Sequence, residues 1–370
     1  MSNFPTLRTP YIYKYENPTL FYAPLEKVDT SVGNLNIDGF YSNLSVGIEN
    51  ENSYSIWQGN SGQVLSAAVL GDYIYLASGS DGIVVLNKSD NSVAYVYPPK
   101  RVGGRIGFAS SIEIKNNKLY CAEDIAGLGV YNINTDGSLV EISELRYQNS
   151  AHIISQVRLS PNCSYAVVHI GGNQFGVIPI DYTSNTIGEI AVTELKSGNM
   201  YHRNLSEVID GRYIIVWNHV GNMCWIDFNP QGNIDSAPTY KMTQDNAMAT
   251  MTGGIAAYED GALFEAKGGY RIYSDIGVFT EYKENGASFY GKPTVCGDYL
   301  VVTSHDNGMI YVIDISDIRT PRLVHKIDTV GNPDVAYYDS VNGSVYIPLG
   351  NQGLLVINLN SAFDKEVTEN

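Results

Sequence analysis

Six side chains in this 370-residue chain carry its most versatile chemistry: His152, His169, His202, His219, His305 and His325. Imidazole titrates near neutral pH and ligates Zn, Cu, Fe or Ni. A group of them, helped by carboxylates, would therefore make a divalent-metal centre or an acid–base pair. No local motif decides between these. His-x-His, His-Glu-x-x-His and His-x-x-x-His are all absent. Convergence would have to come from the fold, so the elements carrying these residues matter first.

Those elements are strands in a long repeat. Apolar runs ending in Asn or Asp recur at 84–87, 129–132, 177–181, 224–227, 271–275, 311–314 and 355–358. The strand before each begins at Tyr73, Lys118, Tyr165, Tyr213, Ala262, Tyr299 and Ser344, at intervals of 45, 47, 48, 49, 37 and 45. A strand-built repeat of that length predicts an all-β, seven-bladed β-propeller of four-stranded antiparallel blades, the fifth trimmed. The sixth blade is expected at 292–296, 299–304, 309–315 and 322–327. The seventh is expected at 334–338, 345–348 and 354–359, without an outermost strand. Residues 53–58 precede the first blade as an outer strand would, and they are expected to close the ring. The predicted organisation is an extended arm over 1–50, the propeller over 51–362 and a tail over 363–370.

In a four-stranded meander, the turn between strands two and three and the link to the next blade fall on one face. That face opens into the central funnel, the usual ligand site. His169, His219 and His305 lie at or beside the turns. His219 and His305 share a repeat position, six residues past Tyr213 and Tyr299, and Asp124 stands six past Lys118. His152 and His202 lie in blade-to-blade links. Five histidines are thus expected on the funnel face and His325 elsewhere. Blades three and four would bring His152, His169, His202 and His219 together as metal-ligand candidates. Blade six lies roughly 15–20 Å across the funnel at ordinary strand spacing. Asp124, Glu123, Arg203, Lys267, Lys292, Asp306 and Asp334 are possible charged companions, with Lys267 read first as a solvated-loop residue. The repeated Asn or Asp after the third strand is read as a turn cap rather than a metal ring, because Asx side chains bond their own turn backbone. Trp57, Trp217 and Trp225 read as interblade core, with the funnel edge as the alternative for Trp217.

Tyr at 28 and Gly at 36 suit many short strands and tight turns. A net charge of −16 disfavours a phosphate-backbone partner, so nucleic acid is not expected. The best basic cluster, Lys100, Arg101 and Arg105, reads as a solvated loop. The N-terminal residues show no apolar signal-peptide core, and no membrane span is expected. Cys121, Cys163, Cys224 and Cys296 fall in four different repeats without a CxxC pair, which disfavours disulfides and thiolate metal sites.

The run Gly308-Met309-Ile310-Tyr311-Val312-Ile313-Asp314-Ile315-Ser316-Asp317, continued by Thr320-Pro321-Arg322-Leu323-Val324, resembles the LVIVD repeat of bacteria and archaea. The run from Gly353 to Asn358 is the next best match. Between 150 and 285 the pattern loosens, with Pro179 interrupting one strand and Trp225 replacing an aliphatic in another. The resemblance implies the propeller fold and an exported or surface-associated setting, and it carries no catalytic motif. The leading expectation is a non-catalytic binding or assembly module, surface- or particle-associated (a virion component among the options), for a protein or glycan partner. Homo-oligomerisation would run through the arm. One alternative is an enzyme (hydrolase, lyase or oxidoreductase) with a His-based metal or acid–base centre in the funnel. Another is a carbohydrate-binding propeller.

Overall fold

The computed structural model describes residues 54–57, 62–149, 152–160, 163–171, 174–194, 291–304, 308–329 and 331–362. It also describes, by backbone, the strands between 206 and 283. The expected arm and tail lie outside these residues.

Among the described residues the strands form seven sheets of three to five strands and one separate two-stranded ribbon. The first sheet is Ser66–Leu70, Tyr73–Ala77, Ile83–Asn87 and Val93–Tyr97, in chain order and antiparallel. The second is Ser111–Lys115, Lys118–Ala122, Leu128–Ile133 and Leu139–Glu141. The sixth is Gly291–Cys296, Tyr299–Ser304, Met309–Asp314 and Arg322–Asp328. The seventh is Tyr337–Asp339, Ser344–Pro348 and Leu354–Asn358, with Tyr54–Trp57 paired antiparallel outside the last of these. Tyr54 faces Ile357 and Trp57 faces Leu354.

Two expectations need correcting. The third sheet has five strands, because its outer edge is split. Gln174–Asp181 runs unbroken through Pro179 and pairs with both Thr186–Ile187 and Ala191–Glu194. Pro179 has no N–H to give the ladder, so the break falls in its partner, where Gly188 N–H donates to the Pro179 carbonyl at 2.9 Å. In the seventh sheet the first paired strand starts at Tyr337 rather than at residue 334. Asp334 N–H reaches the Pro348 carbonyl at 2.8 Å, but proline cannot return a bond.

The middles of the second and third strands are apolar because sheets stack on both of their faces. From Tyr73–Ala77, Tyr75 and Ala77 pack toward Ile112, Leu119 and Cys121 of the second sheet, while Ile74 and Leu76 pack toward Tyr346 and Leu354 of the seventh. Alternation apolar/polar would leave one of those faces unfilled. Tyr75, Tyr120, Tyr311, Tyr346 and Phe175 are fully buried in these layers. Burying such a ring contributes roughly 1.5–3 kcal/mol.

The first strands neighbour one another in sequence order, and that of the seventh sheet neighbours that of the first. Hydroxyls pin several of these junctions. Ser66 Oγ accepts from Ile112 N–H at 3.1 Å, Ser110 Oγ donates to the Ser155 carbonyl at 2.9 Å, and Thr294 Oγ1 donates to the Ala336 carbonyl at 3.2 Å.

The expected turn caps occur. The Asn87 side chain donates to Ser92, Asp181 accepts from Thr183 N–H and Ser184 Oγ, and Asp314 accepts from Ser316 N–H and Oγ.

Candidate functional site

The turn between strands two and three has the same bonding in three sheets. In Ser78–Gly82, Glu123–Gly127 and Leu349–Gly353, the first residue's N–H bonds the last residue's carbonyl. The second residue of each is left-handed: Gly79 (φ 56°), Asp124 (φ 56°) and Gly350 (φ 63°). Its backbone bridges to the entry of the next sheet, as Gly79 to Ala109, Asp124 to Ile154 and Gly350 to Val64. Asp124 therefore occupies a backbone-bridging position that Asp tolerates and Gly prefers. Its place in the repeat is accounted for by that bridge. His219 and His305, at the same repeat position, lie outside the described residues, as do His202, Arg203, Lys267 and Asp306.

The two histidine candidates that are described have separate partners. His169 sits inside the second strand of its sheet, opposite Gln156, where Ala77 and Ala122 stand in the first two sheets. It is 4% exposed, and its Nδ1 lies 2.6 Å from Ser155 Oγ. His152 is half-buried in the link, stacked on Tyr147 with ring centroids 6.2 Å apart and Nδ1 2.8 Å from the phenol oxygen. Among the described residues no three His, Cys, Asp or Glu side chains come together to hold a metal ion. Lys292 lies in the first strand of the sixth sheet, opposite Thr303. His325 lies in a fourth strand, opposite Val312.

Glu123 lies in its expected turn, but the structure buries it in an ion cluster. Arg146 Nη2 donates to Glu123 Oε2 at 2.8 Å and to Tyr131 Oη at 3.0 Å, and Nη1 donates to the Ala126 carbonyl at 2.9 Å. Tyr131 Oη donates to the other Glu123 oxygen, and Arg146 Nε and Lys100 Nζ both pair with Glu141. Burial works against the Arg146 charge, but Glu123 and Tyr131 outweigh it and its pKa is raised. Burial, then Glu123, raises the Tyr131 phenol. Gly129 leaves room for the cluster, since a Cβ there would stand 2.6 Å from Glu123 Oε1. The cluster ties the second sheet's turn to its outermost strand. Sequence reasoning missed Arg146 because its partners lie 23 and 15 residues away, at no repeating interval.

The first strands enclose a cavity of about 240 Å³ lined by Ser66, Ser111, Glu113, Gln156, Arg158 and Asp334 among others. Asp334 is the one sequence candidate among the described residues that reaches it. Ser66 and Ser111 of this wall stand 45 residues apart, at the repeat interval, the signal that could have marked it.

The basic cluster has a definite shape. Arg101–Val102 pairs with Arg105–Ile106 across Gly103 (φ 56°) and Gly104 (φ 82°), forming a hairpin inserted in the link from the first sheet to the second. Gly107 N–H closes its base on the Lys100 carbonyl at 2.7 Å, and Lys100 is held by Glu141. Arg101 and Arg105 are exposed, and Ile106 is 52% exposed.

The sheet order and neighbouring first strands have counterparts among solved structures. The chain is similar to virginiamycin B lyase from Staphylococcus aureus at 13% identity and TM-score 0.61, covering 83% of this chain and 98% of that one. It is similar to the RRP9 WD40 repeats at 9% identity and TM-score 0.61, covering 83% and 98%. It is also similar to the Cps50 (Swd1) β-propeller domain of Myceliophteria thermophila at 12% identity and TM-score 0.59, covering 83% and 99%. The fold is a β-propeller. At these identities the likeness speaks for the fold alone. No family model matches the chain, and no curated protein matches it. No helix among the described residues is long and apolar enough to cross a membrane.

Proposed function

We propose that this propeller is a non-catalytic binding module that docks a protein partner on its turn-and-link face. The hairpin at 101–106 carries the reading. A β-turn of two left-handed glycines, a closed base and the Lys100–Glu141 pair hold it before any partner arrives, so little ordering entropy is lost on binding. It presents two arginines and an exposed isoleucine, the residue mix that anchors interfaces. In a chain of net charge −16 it suits an acidic segment of a partner protein. On this reading the seven sheets are seven blades closed by Tyr54–Trp57, residues 1–50 form an arm, and the repeat is of the LVIVD kind.

The test uses a labelled poly-glutamate peptide of about twenty residues, long enough to span a hairpin. The acidic bulk of the chain repels such a probe, so binding must come from a basic element. Fluorescence anisotropy at low salt should show binding that Arg101→Glu with Arg105→Glu removes. Absence of binding, or binding that survives the double variant, counts against the reading.

A second reading rests on the neighbour that is an enzyme. Virginiamycin B lyase has a catalytically inactive His-to-Ala variant, solved with quinupristin. By analogy, His202 and His219 would supply a funnel centre in this chain. Stoichiometric metal in the purified protein, lost in His202→Ala and His219→Ala, would favour this reading over the first.

A further inference from the structure

The turn after the third strand fills a recurring notch between neighbouring sheets, on the face opposite the hairpin. In the second sheet, Gly137 (φ 81°) lies flat against the Tyr73 ring of the first, so close that a Cβ would stand 2.5 Å from it. Tyr75 Oη adds a bond to the Gly137 carbonyl at 3.1 Å. In the third sheet, Tyr182 of the equivalent turn takes Lys118 of the second over its ring at 5.2 Å. In the first sheet, Lys88 of that turn pairs with Asp339 of the seventh at 2.7 Å.

The junction of the sixth and seventh sheets lacks this filling among the described residues. The seventh sheet receives its outer strand from Tyr54–Trp57, and the chain leaves Asn358 into the helical turn Leu359–Ala362. Tyr299, in the repeat position of Tyr73, instead borders a cavity of about 390 Å³. Asp298, Tyr299, Tyr338 and Asn360 line it, over Cys296 and Leu359. Gly297 (φ 64°) opens its rim, since a Cβ there would meet only the Tyr338 hydroxyl, at 3.4 Å.

We infer that this notch binds a hexose residue of a neutral glycan. Two phenol rings border it, and an aromatic face suits the C–H side of a pyranose. One carboxylate and one carboxamide offer both acceptor and donor to its hydroxyls. The floor is apolar, and the volume falls in the roughly 300–1,000 Å³ range of small-molecule sites. Asp298 and the net charge of −16 exclude acidic sugars by repulsion.

Saturation-transfer NMR and calorimetry with the methyl glycosides of glucose, galactose and mannose test this on the full chain. Binding of at least one with a millimolar Kd is expected. Asp298→Asn should weaken it about tenfold by removing a charged acceptor. Asn360→Trp, a substitution at an exposed position, should abolish it by filling the notch, with the melting temperature unchanged in both variants. Failure of every glycoside to bind overturns the inference, as does binding that both variants leave intact. A negative result leaves the hairpin reading standing, because the two sites lie on opposite faces and share no residue.

Discussion

The second and seventh sheets solve the same packing problem with different stretches of chain. The second is one continuous run from Ser111 to Glu141, and its own tight turn fills the junction with the first sheet. The seventh is assembled from two stretches about 300 residues apart, with Tyr54–Trp57 lying against Leu354–Asn358. That pairing covers a sheet edge that would otherwise be open, but it costs the turn that fills the equivalent junction elsewhere. The same repeat thus yields a sealed junction in one place and a recessed one in another.

The largest expected effect falls on the split sheet. A chain lacking residues 1–58 should melt at least about 10 °C below one lacking residues 1–45, because only the first loses Tyr54–Trp57. Equal melting points in thermal denaturation would break the contrast.

Next comes charge. Arg146→Ala strands Glu123 inside the second sheet and should cost about 3–5 kcal/mol in urea unfolding. Lys88→Ala opens a pair that water reaches and should cost about 1 kcal/mol. A reversal of that order would mean that the buried cluster is not what fastens the second sheet.

The two junctions can then be compared by adding one methyl group to each. Gly137→Ala combines a left-handed backbone with a clash on Tyr73 and should cost about 2–4 kcal/mol. Gly297→Ala carries the backbone penalty alone, about 1–2 kcal/mol.

The smallest effect is on pH dependence. Burial raises the Glu141 carboxyl, but hydrogen bonds from Lys100 and Arg146 outweigh it and leave the pKa below the ordinary value. Asp339 is likewise lowered, with Lys88 and Asn342 overcoming burial. A depressed carboxylate stabilises the fold above its unfolded pKa and loses that contribution as pH falls through the folded value. Glu141→Gln and Asp339→Asn should each flatten the fall in stability between roughly pH 5 and pH 3. Unchanged slopes in acid-titrated unfolding would remove both carboxylates from the account.

The repeat was legible because its signals are local. Strand starts at Tyr73, Lys118, Tyr165, Tyr299 and Ser344 stand where the spacing puts them, and the Asn/Asp caps follow from side chains bonding their own turns. The candidate site was much less legible. His169 sits two residues inside the end of its strand, at a position that the first two sheets give to alanine, since a periodic count does not fix where a strand yields to its turn. Asp124 was placed correctly, but its left-handed backbone, not its carboxylate, explains the position. The Arg146 cluster joins residues at unrelated spacings, and the hairpin at 101–106 is an insertion that no repeat predicts.

The contact of Tyr54 with Ile357 joins residues 303 positions apart. On a ribosome, the donor strand emerges about 300 residues before its acceptor. Every intervening sheet can be made and stacked while that early strand still lacks its mate. Loop closure over such a distance is slow, and an unpaired strand invites association with other chains. Translation speed and chaperone contact between the making of these two strands should therefore affect the yield of native protein.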